Sequence, residues 1–558
     1  MTLASEVLAR RMRLARAQTH DVVCEHDLPA TMDDGAVLLA DRWVAREATG
    51  TAQSTVLIRS PYGRGGFVGL LFGRLLAERG LQVVIQSVRG TFGSEGQFAP
   101  FDERADGLAT LAWLRRQPWH GGRIGMMGPS YLGLVQWAVA PDAGDDLAAL
   151  AIQVSASEFY DQTYAGGSLS LETIGSWMAL VAAQESRLAP VAINRALRKL
   201  ESTLGELPLA ELDERATGAP LPWFRAAFDH PGREDAYWAA RDFSARVGEV
   251  RAAVQFVGGW YDILLPWMLE DYAALRAAGH DPQLQIGPWT HTAPGLVGAG
   301  HREGIAWLRR HLLGDDGRPR SSPVQVLITG ERSGGGWREL ASWPPPGTTE
   351  RRLWLGSGRR LDFESPGLAR GGGDGAGGRG DGYRYDPADP TPSLGGPVLL
   401  ARHPVVDNRE LESRGDVLTY STEPLARTME AVGPVRVELW ASASSDYFDL
   451  FARVCDVDPA GRSWNVCDAL ARIAPGRFER SGDGVWPVAF DLWPIGHRFD
   501  AGHRIRLQVS SGAHPRYARN PGTGEDPVTA TELSAVEIEI LRDGAHPSAL
   551  VLPAAADA

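Results

Sequence analysis

Three short segments of the sequence each follow an apolar run, and together they carry a serine, a carboxylate and an imidazole. Gly-Pro-Ser-Tyr-Leu-Gly contains Ser130, Gly-Trp-Tyr-Asp ends at Asp262, and Gly-Pro-Trp-Thr-His ends at His291. A serine hydroxyl is a weak nucleophile at neutral pH, and it needs a base within hydrogen-bond reach and a carboxylate that orients this base. The sequence therefore predicts nucleophilic catalysis by Ser130 with His291 as the base and Asp262 as its partner.

The run before each of these residues is typical of a buried strand. From about residue 38 to residue 154, strand-like runs such as 54–60 and 81–88 alternate with segments of helical periodicity, and the alternation returns after residue 247. Such alternation predicts a parallel sheet covered by helices on both faces. The three side chains then lie at the carboxyl edge of one sheet, and their chain order is that of an α/β-hydrolase.

The residues around the candidate nucleophile fit a sharp turn from a strand into a helix. Gly128 and Gly133 permit this turn and a close approach of the helix, although the second glycine lies one place beyond the G-x-S-x-G pattern. A developing oxyanion needs at least two donors. We expect these to be the backbone N–H of Tyr131 and the phenol of Tyr62, which lies in the loop after an earlier strand. Each residue alone is also typical of an ordinary turn or cap, so the prediction depends on their combination.

Two further regions follow from changes in pattern along the chain. Helical patterns replace strands in the middle of the chain, and the last part alternates short strands with turns rich in Gly, Pro and Asp. We predict an α/β-hydrolase catalytic domain over residues 1–158 and 247–320, an inserted helical cap over 159–246, and a C-terminal jelly-roll β-sandwich over 321–558. A glycine-rich stretch, residues 367–382, reads as a flexible loop in the last of these.

Composition limits the class of protein and its partners. The formal net charge of the 558 residues is −13, which argues against nucleic acid or an anionic membrane as a partner. Cys24, Cys455 and Cys467 form no C-x-x-C or metal-ligand spacing, so we expect free thiols in a reducing compartment. No leader-like apolar segment and no run of membrane-spanning length occurs, so the prediction is a cytoplasmic protein.

The sequence resembles the cocaine esterase family, also called CocE/NonD hydrolases, which is related to X-Pro dipeptidyl-peptidases. The matching segments are residues 59–64, 89–96, 128–133, 259–262 and 287–291, and in the last third residues 492–494, 497–499, 502–504 and 520–525.

The resemblance implies Ser130, Asp262 and His291 as a catalytic triad, and Tyr62 with the Tyr131 amide as the oxyanion hole. It also implies an acyl-enzyme mechanism on a small-molecule substrate without a metal or an organic cofactor. Members of the family often form dimers, so the resemblance allows a homodimer.

Three activities of the family compete for this chain: hydrolysis of acyl esters, hydrolysis of α-amino-acid esters, and release of Xaa-Pro dipeptides. The last two need carboxylates that hold a substrate ammonium group. Asp262 is followed by Ile-Leu-Leu-Pro-Trp at 263–267, and an ammonium group beside this apolar wall would lose its hydration without compensation. Glu158 and Asp161 are the alternative carboxylates, although charged residues there are also typical of a solvated cap entrance.

The resemblance further implies that Tyr164, Trp177 and Leu264 line an apolar or aromatic acyl site, while Trp177 is equally typical of a core residue. The sequence thus predicts hydrolysis of an ester, or less readily an amide, of an apolar acyl group through an acyl-Ser130 intermediate. Besides the amino-ester and Xaa-Pro activities, two alternatives stay open. The same acyl-enzyme would act as an acyltransferase if an alcohol or amine replaced water, and a non-catalytic binding protein could retain the fold.

Overall fold

The computed structural model describes residues 2–315, 322–330, 336–365, 379–400 and 403–555. The chain divides into two compact units. The first unit comprises Met1–Tyr160, Met178–Ala196 and Leu221–Val324, and the second comprises Asp161–Trp177, Leu197–Pro220 and Gln325–Ala558. Most of the predicted glycine-rich loop, residues 367–378, and the predicted domain boundary at 320/321 lie outside the described residues.

The first unit is built on a mainly parallel sheet. Its strands are β1 (Val22–Thr31), β2 (Val37–Ala45), β3 (Gln53–Ser60), β4 (Gln82–Ser87), β5 (His120–Pro129), β6 (Leu147–Gln153), β7 (Ala253–Tyr261) and β8 (Gln283–Thr290). They lie in the order β1-β2-β4-β3-β5-β6-β7-β8, and the neighbours from β4 to β8 are parallel. The predicted parallel α/β sheet is therefore confirmed, and the antiparallel strand β1 at its edge was not predicted.

Helices connect these strands. The chain contains α1 (Thr2–Met12), α2 (Gly66–Val68), α3 (Leu75–Ala77), α4 (Arg104–Arg115), α5 (Tyr131–Trp137), α6 (Tyr160–Thr163), α7 (Leu171–Ala183), α8 (Ala189–Thr203), α9 (Leu212–Thr217), α10 (Pro222–Asp229), α11 (Ala236–Ala239), α12 (Leu265–Ala277) and α13 (Pro294–Leu313). A π-helical segment, Gly69–Arg74, joins α2 to α3. The structure describes every residue between β6 and β7. This segment forms helices and short 3-10 turns but no strand, as the periodicity predicts.

The central strands are buried because helices cover the sheet. Every residue of β4 is buried, and six consecutive residues of β3 are buried as well. Apolar runs of this kind are typical of parallel strands that are covered on both faces. None of the helices in the described parts of the chain is both long enough and apolar enough to cross a membrane.

The second unit contains most of the remaining strands. After β9 (Val324–Ile328) and β10 (Gly336–Leu340) come β11 (Thr348–Gly356), β12 (Arg360–Asp362), β13 (Gly380–Tyr385), helix α14 (Arg409–Glu412), β14 (Leu418–Ser421), β15 (Met429–Ala443), β16 (Phe448–Val457), β17 (Ser463–Ile473), β18 (Trp486–Phe499), β19 (Arg504–Ser510), β20 (Val536–Leu541) and β21 (Ala549–Ala555). Strands β11 to β21 form one sheet in the order β13-β20-β15-β21-β11-β12-β14-β19-β16-β17, with β18 paired to β15. Most pairs are antiparallel, which confirms the predicted β-rich C-terminal domain.

The three cysteines are free, as the sequence predicts. Cys455 and Cys467 lie on the neighbouring strands β16 and β17 and are buried, and Cys24 on β1 is half-buried.

Candidate active site

Ser130 lies at a strained turn between β5 and α5. Its backbone has φ 55° and ψ −124°, a region that residues with a Cβ rarely adopt. Hydrogen bonds hold this residue from both sides: its N–H donates to the carbonyl of Gln153 over 2.9 Å, and its carbonyl accepts from the hydroxyl of Ser155 over 2.6 Å. Strain of this kind persists only where the surroundings enforce it, and it is the backbone of a nucleophile elbow.

Both glycines of the segment are required by close packing. A Cβ on Gly128 would lie 2.4 Å from the Cβ of Leu132, and a Cβ on Gly133 would lie 2.3 Å from the Cβ of Ser155. No real Cβ approaches carbon atoms so closely. Gly133 lies one place beyond the G-x-S-x-G pattern, but it still allows α5 to pack closely against Ser155, as predicted.

Asp262 and His291 form a buried pair at the ends of two neighbouring strands. Asp262 follows β7 and is fully buried, and His291 follows β8 and is 8% exposed. The Nδ1 atom of His291 lies 2.6 Å from Oδ2 of Asp262, while Oδ1 accepts the backbone N–H of Leu264 over 2.8 Å. An ionised carboxylate only accepts hydrogen bonds, so Nδ1 carries the proton and Nε2 is left as the basic nitrogen.

All three candidate residues lie at the carboxyl edge of the parallel strands of the first unit. Ser130 follows β5, and Asp262 and His291 follow β7 and β8, with β6 between β5 and β7. The structure thus joins Asp262 to His291 by a hydrogen bond and places the half-buried Ser130 at the same edge of the sheet. Proton transfer from Ser130 to His291 stays a prediction of the sequence analysis.

The two predicted oxyanion donors lie in well-anchored segments of the first unit. Tyr131 begins α5, directly after Ser130. Tyr62 is half-buried in the loop after β3, and its backbone N–H donates to the Ser60 hydroxyl over 3.0 Å. The carbonyl of the preceding Pro61 accepts the side-chain amide of Gln184 over 2.8 Å. The loop is therefore held at Tyr62 itself and at the residue before it.

A buried network around Tyr131 was missed by the sequence analysis. The phenol of Tyr131 donates to Oε1 of Glu103 over 2.6 Å, and Arg59 donates to Oε2 of Glu103 over 2.6 Å and to Gln86 over 2.9 Å. Burial raises the pKa of the Tyr131 phenol well above its ordinary value, and the neighbouring charge of Glu103 raises it further. The phenol therefore stays protonated and anchors the start of α5. A charged Arg59 within an apolar strand run was the signal that a buried carboxylate had to pair with it.

The residues predicted for the acyl site belong to different units. Leu264 lies in the first unit, is 1% exposed, and directly precedes α12. Tyr164 and Trp177 lie in the second unit and are half-buried, the former before a 3-10 turn and the latter within α7. Their joint role at an acyl site stays a prediction.

The two carboxylates considered for holding a substrate ammonium group, Glu158 and Asp161, differ in their burial. Glu158, shortly after β6 in the first unit, is buried, whereas Asp161 in the second unit is half-buried. Near Glu158 lies Asp271, also buried, which accepts hydrogen bonds from the N–H and the hydroxyl of Ser157. Burial raises the pKa of Asp271 well above its ordinary value, and the charge of Glu158 contributes to this rise.

Comparison with known proteins identifies the family. Residues 34–293 match the model of the X-Pro dipeptidyl-peptidase (S15 family), and residues 318–551 match the X-Pro dipeptidyl-peptidase C-terminal non-catalytic domain. Over 516 residues the chain is 32% identical to the cocaine esterase of Rhodococcus sp., covering 85% of this chain and 88% of that protein. The chain belongs to the cocaine esterase (CocE/NonD) family of hydrolases. It is a serine ester hydrolase, and relatives that are named as esterases act on small molecules.

Other members and solved structures agree with this assignment. A putative serine esterase of Mycobacterium bovis is 24% identical over 556 residues, covering 85% of this chain and 82% of that protein. An α-amino acid ester hydrolase structure superposes with a TM-score of 0.78 at 22% identity, covering 97% of this chain and 98% of the other. A CocE/NonD family hydrolase of Staphylococcus aureus gives a TM-score of 0.68 at 16% identity, covering 96% and 94%. At these identities the two structures support the fold of this CocE/NonD hydrolase.

Proposed function

We propose that this esterase cleaves its substrate through an acyl-enzyme formed on Ser130, with His291 as general base and acid and Asp262 as its orienting carboxylate. The observation that carries the proposal is the buried 2.6 Å contact between Nδ1 of His291 and Asp262, beside the strained serine turn at the same sheet edge. This contact leaves Nε2 of His291 free of a proton, which is what a base for a serine hydroxyl requires.

The reaction then follows from the roles of the three side chains. Nε2 of His291 takes the proton from Oγ of Ser130 as this oxygen attacks the ester carbon. The carbonyl oxygen becomes an oxyanion, which accepts hydrogen bonds from the Tyr131 N–H and the Tyr62 phenol. His291 returns the proton to the leaving alcohol, and an acyl-Ser130 ester remains. Water, deprotonated by the same nitrogen, releases the acid and restores the serine.

The role of Tyr62 is tested by Tyr62→Phe. This change removes one hydroxyl and keeps the ring, so we expect kcat to fall by about 10²–10³-fold, the usual cost of losing one oxyanion donor. The free energy of unfolding measured in urea should change little, because the loop is also held through Ser60 and Pro61. Retention of wild-type kcat in this variant would assign the oxyanion hole to backbone amides alone.

For the substrate, we propose an ester of an apolar, uncharged acyl group. Two observations support this choice. Ile263, Leu264 and Leu265, which directly follow Asp262, are all buried and apolar. A 32% identical relative is named a cocaine esterase, so its named activity is on an ester rather than on an Xaa-Pro peptide. An apolar wall discriminates by about 1–3 kcal/mol per methylene group, so it sets a preference rather than an absolute choice.

A second candidate, hydrolysis of α-amino-acid esters, is favoured by the buried acidic pair Glu158 and Asp271. Both carboxyls are buried in the first unit, and the charge of Glu158 contributes to the raised pKa of Asp271. A substrate ammonium group between them would stabilise their ionised forms. Release of Xaa-Pro dipeptides would use the same recognition of an amino group.

Three probes distinguish these activities: a short-chain p-nitrophenyl ester, a phenylglycine methyl ester and an Ala-Pro p-nitroanilide. We expect the highest kcat/KM for the uncharged ester, with Ser130→Ala protein as the blank. A preference for either aminated probe would contradict the proposed substrate class and make Glu158→Gln the next variant. Addition of a competing alcohol, with analysis of products, separates hydrolysis from acyl transfer.

We further propose the three-part division into a catalytic domain, a helical cap at 159–246 and a C-terminal β-domain beginning near 321. The match to the C-terminal family model begins at residue 318, after the match to the catalytic model ends at residue 293, and this supports the last boundary. We also propose a cytoplasmic location, which fits the three free thiols. The net charge of −13 argues against nucleic acid and anionic membranes as partners. Sedimentation would test the homodimer that the family resemblance allows.

A further inference from the structure

A cysteine, a histidine and an aspartate, none of them proposed for catalysis, converge at the hairpin of β1 and β2. Sγ of Cys24 lies 3.6 Å from Nδ1 of His26, this nitrogen lies 2.8 Å from Oδ2 of Asp41, and Sγ lies 3.9 Å from the same oxygen. Within the described residues this is the one group of three such side chains whose donor atoms all lie within 4.8 Å of one another.

We propose that Cys24, His26 and Asp41 form a binding site for a zinc-like divalent cation. Zinc bonds of about 2.0–2.3 Å to sulfur, nitrogen and oxygen at tetrahedral angles place the ligand atoms about 3.3–3.6 Å apart. The three observed separations of 3.6, 2.8 and 3.9 Å lie around this range, so small side-chain rotations suffice to bind a metal. The mixed sulfur, nitrogen and oxygen set suits zinc, whereas magnesium and calcium require oxygen ligands.

The geometry is that of a chelate and not of a second nucleophile with a base. In a cysteine–histidine–aspartate relay, the thiol and the carboxylate contact opposite nitrogens of the imidazole. Here both Cys24 and Asp41 face the same nitrogen, Nδ1 of His26. All three donors therefore point to one position, which is where a metal ion would lie. Without a metal, the contact with Asp41 places the ring proton of His26 on Nδ1, and a bound ion would take that position and leave the proton on Nε2.

The backbone presets this convergence. Cys24 and His26 are two residues apart and lie on one face of β1. The pairing of β1 with β2 shifts between Glu25 and Leu28, and within this bulge Asp27 has φ 57°. Bulges bend a strand and redirect side chains, which explains how His26 reaches Asp41 on β2.

Asp41 is held so that only one of its oxygens is available. Oδ1 accepts the N–H of Asp27 over 3.1 Å and Nε of Arg64 over 3.0 Å, so Oδ2 is left to face Cys24 and His26. The Asp41 side chain is 3% exposed, whereas that of His26 is 62% exposed. The site thus has a buried, fixed carboxylate at its base and an open side, from which a metal enters and water supplies the fourth ligand.

No metal-ligand spacing is visible in the sequence because the third ligand comes from the neighbouring strand. Cys-Glu-His at 24–26 supplies only two donors, and a pair of this kind is not a recognised motif. Asp41 joins them only through the pairing of β1 with β2.

The test uses the tag-free full chain with Co²⁺ as a spectroscopic probe and Zn²⁺ as a competitor. We expect one Co²⁺ per chain with a sulfur-to-cobalt charge-transfer band, which Zn²⁺ abolishes. Cys24→Ser should remove the band, and Cys24→Ser and His26→Asn should each weaken Zn²⁺ binding by more than 100-fold, beyond the ~10–100-fold cost of losing an outer-shell partner. Both variants keep Asp41 and its contact with Arg64.

The matched control is His20→Asn, which removes another partly exposed histidine of the same region outside the cluster. It should bind both metals as the wild type does. Circular dichroism and ester hydrolysis of the metal-free variants establish that they are folded. Absence of the charge-transfer band in the wild type, or equal Zn²⁺ affinity in the wild type and Cys24→Ser, would overturn the proposed site.

Discussion

Ser130→Ala is expected to lower kcat for a p-nitrophenyl ester by about 10⁶-fold, the scale of loss when the nucleophile of a triad is removed. The variant lacks the oxygen that forms the acyl-enzyme, so only binding and oxyanion stabilisation of an attack by water remain. The fold should tolerate the change, because the contacts that enforce the Ser130 backbone are made by its own N–H and carbonyl with Gln153 and Ser155. Steady-state kinetics with a sensitive ester substrate measure the effect.

Ser54→Ala is the matched control for this experiment. Ser54 lies near the amino end of β3, the opposite end of the strand from the loop that carries Tyr62, and its hydroxyl donates to the Leu312 carbonyl over 3.2 Å. Its removal should leave kcat within twofold to threefold of the wild type. A loss of tenfold or less in Ser130→Ala would place the nucleophile elsewhere in the chain.

Asp262→Asn is expected to lower kcat by about 10⁴-fold while changing the shape of the site little. The carboxylate of Asp262 accepts from Nδ1 of His291 on one oxygen and from the Leu264 N–H on the other. In the asparagine variant the amide oxygen still accepts from Leu264, so the NH₂ group faces Nδ1 and requires this nitrogen to be unprotonated. The ring proton then moves to Nε2, and the base that Ser130 needs is lost.

The control for this variant is Asp281→Asn, which removes an exposed carboxylate shortly before β8. Its kcat should equal that of the wild type. Because Asp262 does not contact substrate in the proposed mechanism, Asp262→Asn should change kcat far more than KM. A kcat within tenfold of the wild type would show that the contact between Asp262 and His291 is structural only.

The central sheet could be predicted from the sequence because its strands are short apolar runs flanked by helical patterns. β3 and β4 lie where the runs at 54–60 and 81–88 predict them. Parallel strands buried on both faces need such runs, so the signal is strong. β1 was missed because its sequence, Val-Val-Cys-Glu-His-Asp-Leu-Pro-Ala-Thr, mixes charges and proline, as an exposed edge strand does.

The order of the strands in the C-terminal part could not be predicted, although their existence could. β13 pairs with β20, which is more than 150 residues further along the chain. Antiparallel pairing of strands so far apart in the chain depends on the packing of the whole domain. The local periodicity of the sequence carries no information about which strands pair.

At the candidate site, the turn that carries Ser130 could be predicted from the sequence. The buried hydrogen bonds that join Tyr131, Glu103 and Arg59 could not. The serine turn could be predicted from Gly128 and Gly133, which lie two residues before and three residues after Ser130. Glu103 anchors Tyr131 from the start of a different helix, α4, and nothing in its own neighbourhood indicates this role. Only the charge of Arg59 in an apolar strand required a buried partner, without identifying which one.

The most direct test of the acyl-enzyme mechanism is the mass of the intact protein after treatment with a fluorophosphonate, followed by mapping of the labelled peptide. These reagents phosphonylate a serine only when a neighbouring base activates it. We expect one adduct per chain, located at Ser130, absent from Ser130→Ala and formed much more slowly in Asp262→Asn. An unmodified wild-type protein, or an adduct on any other residue, would contradict the assignment of Ser130 as the nucleophile of this esterase.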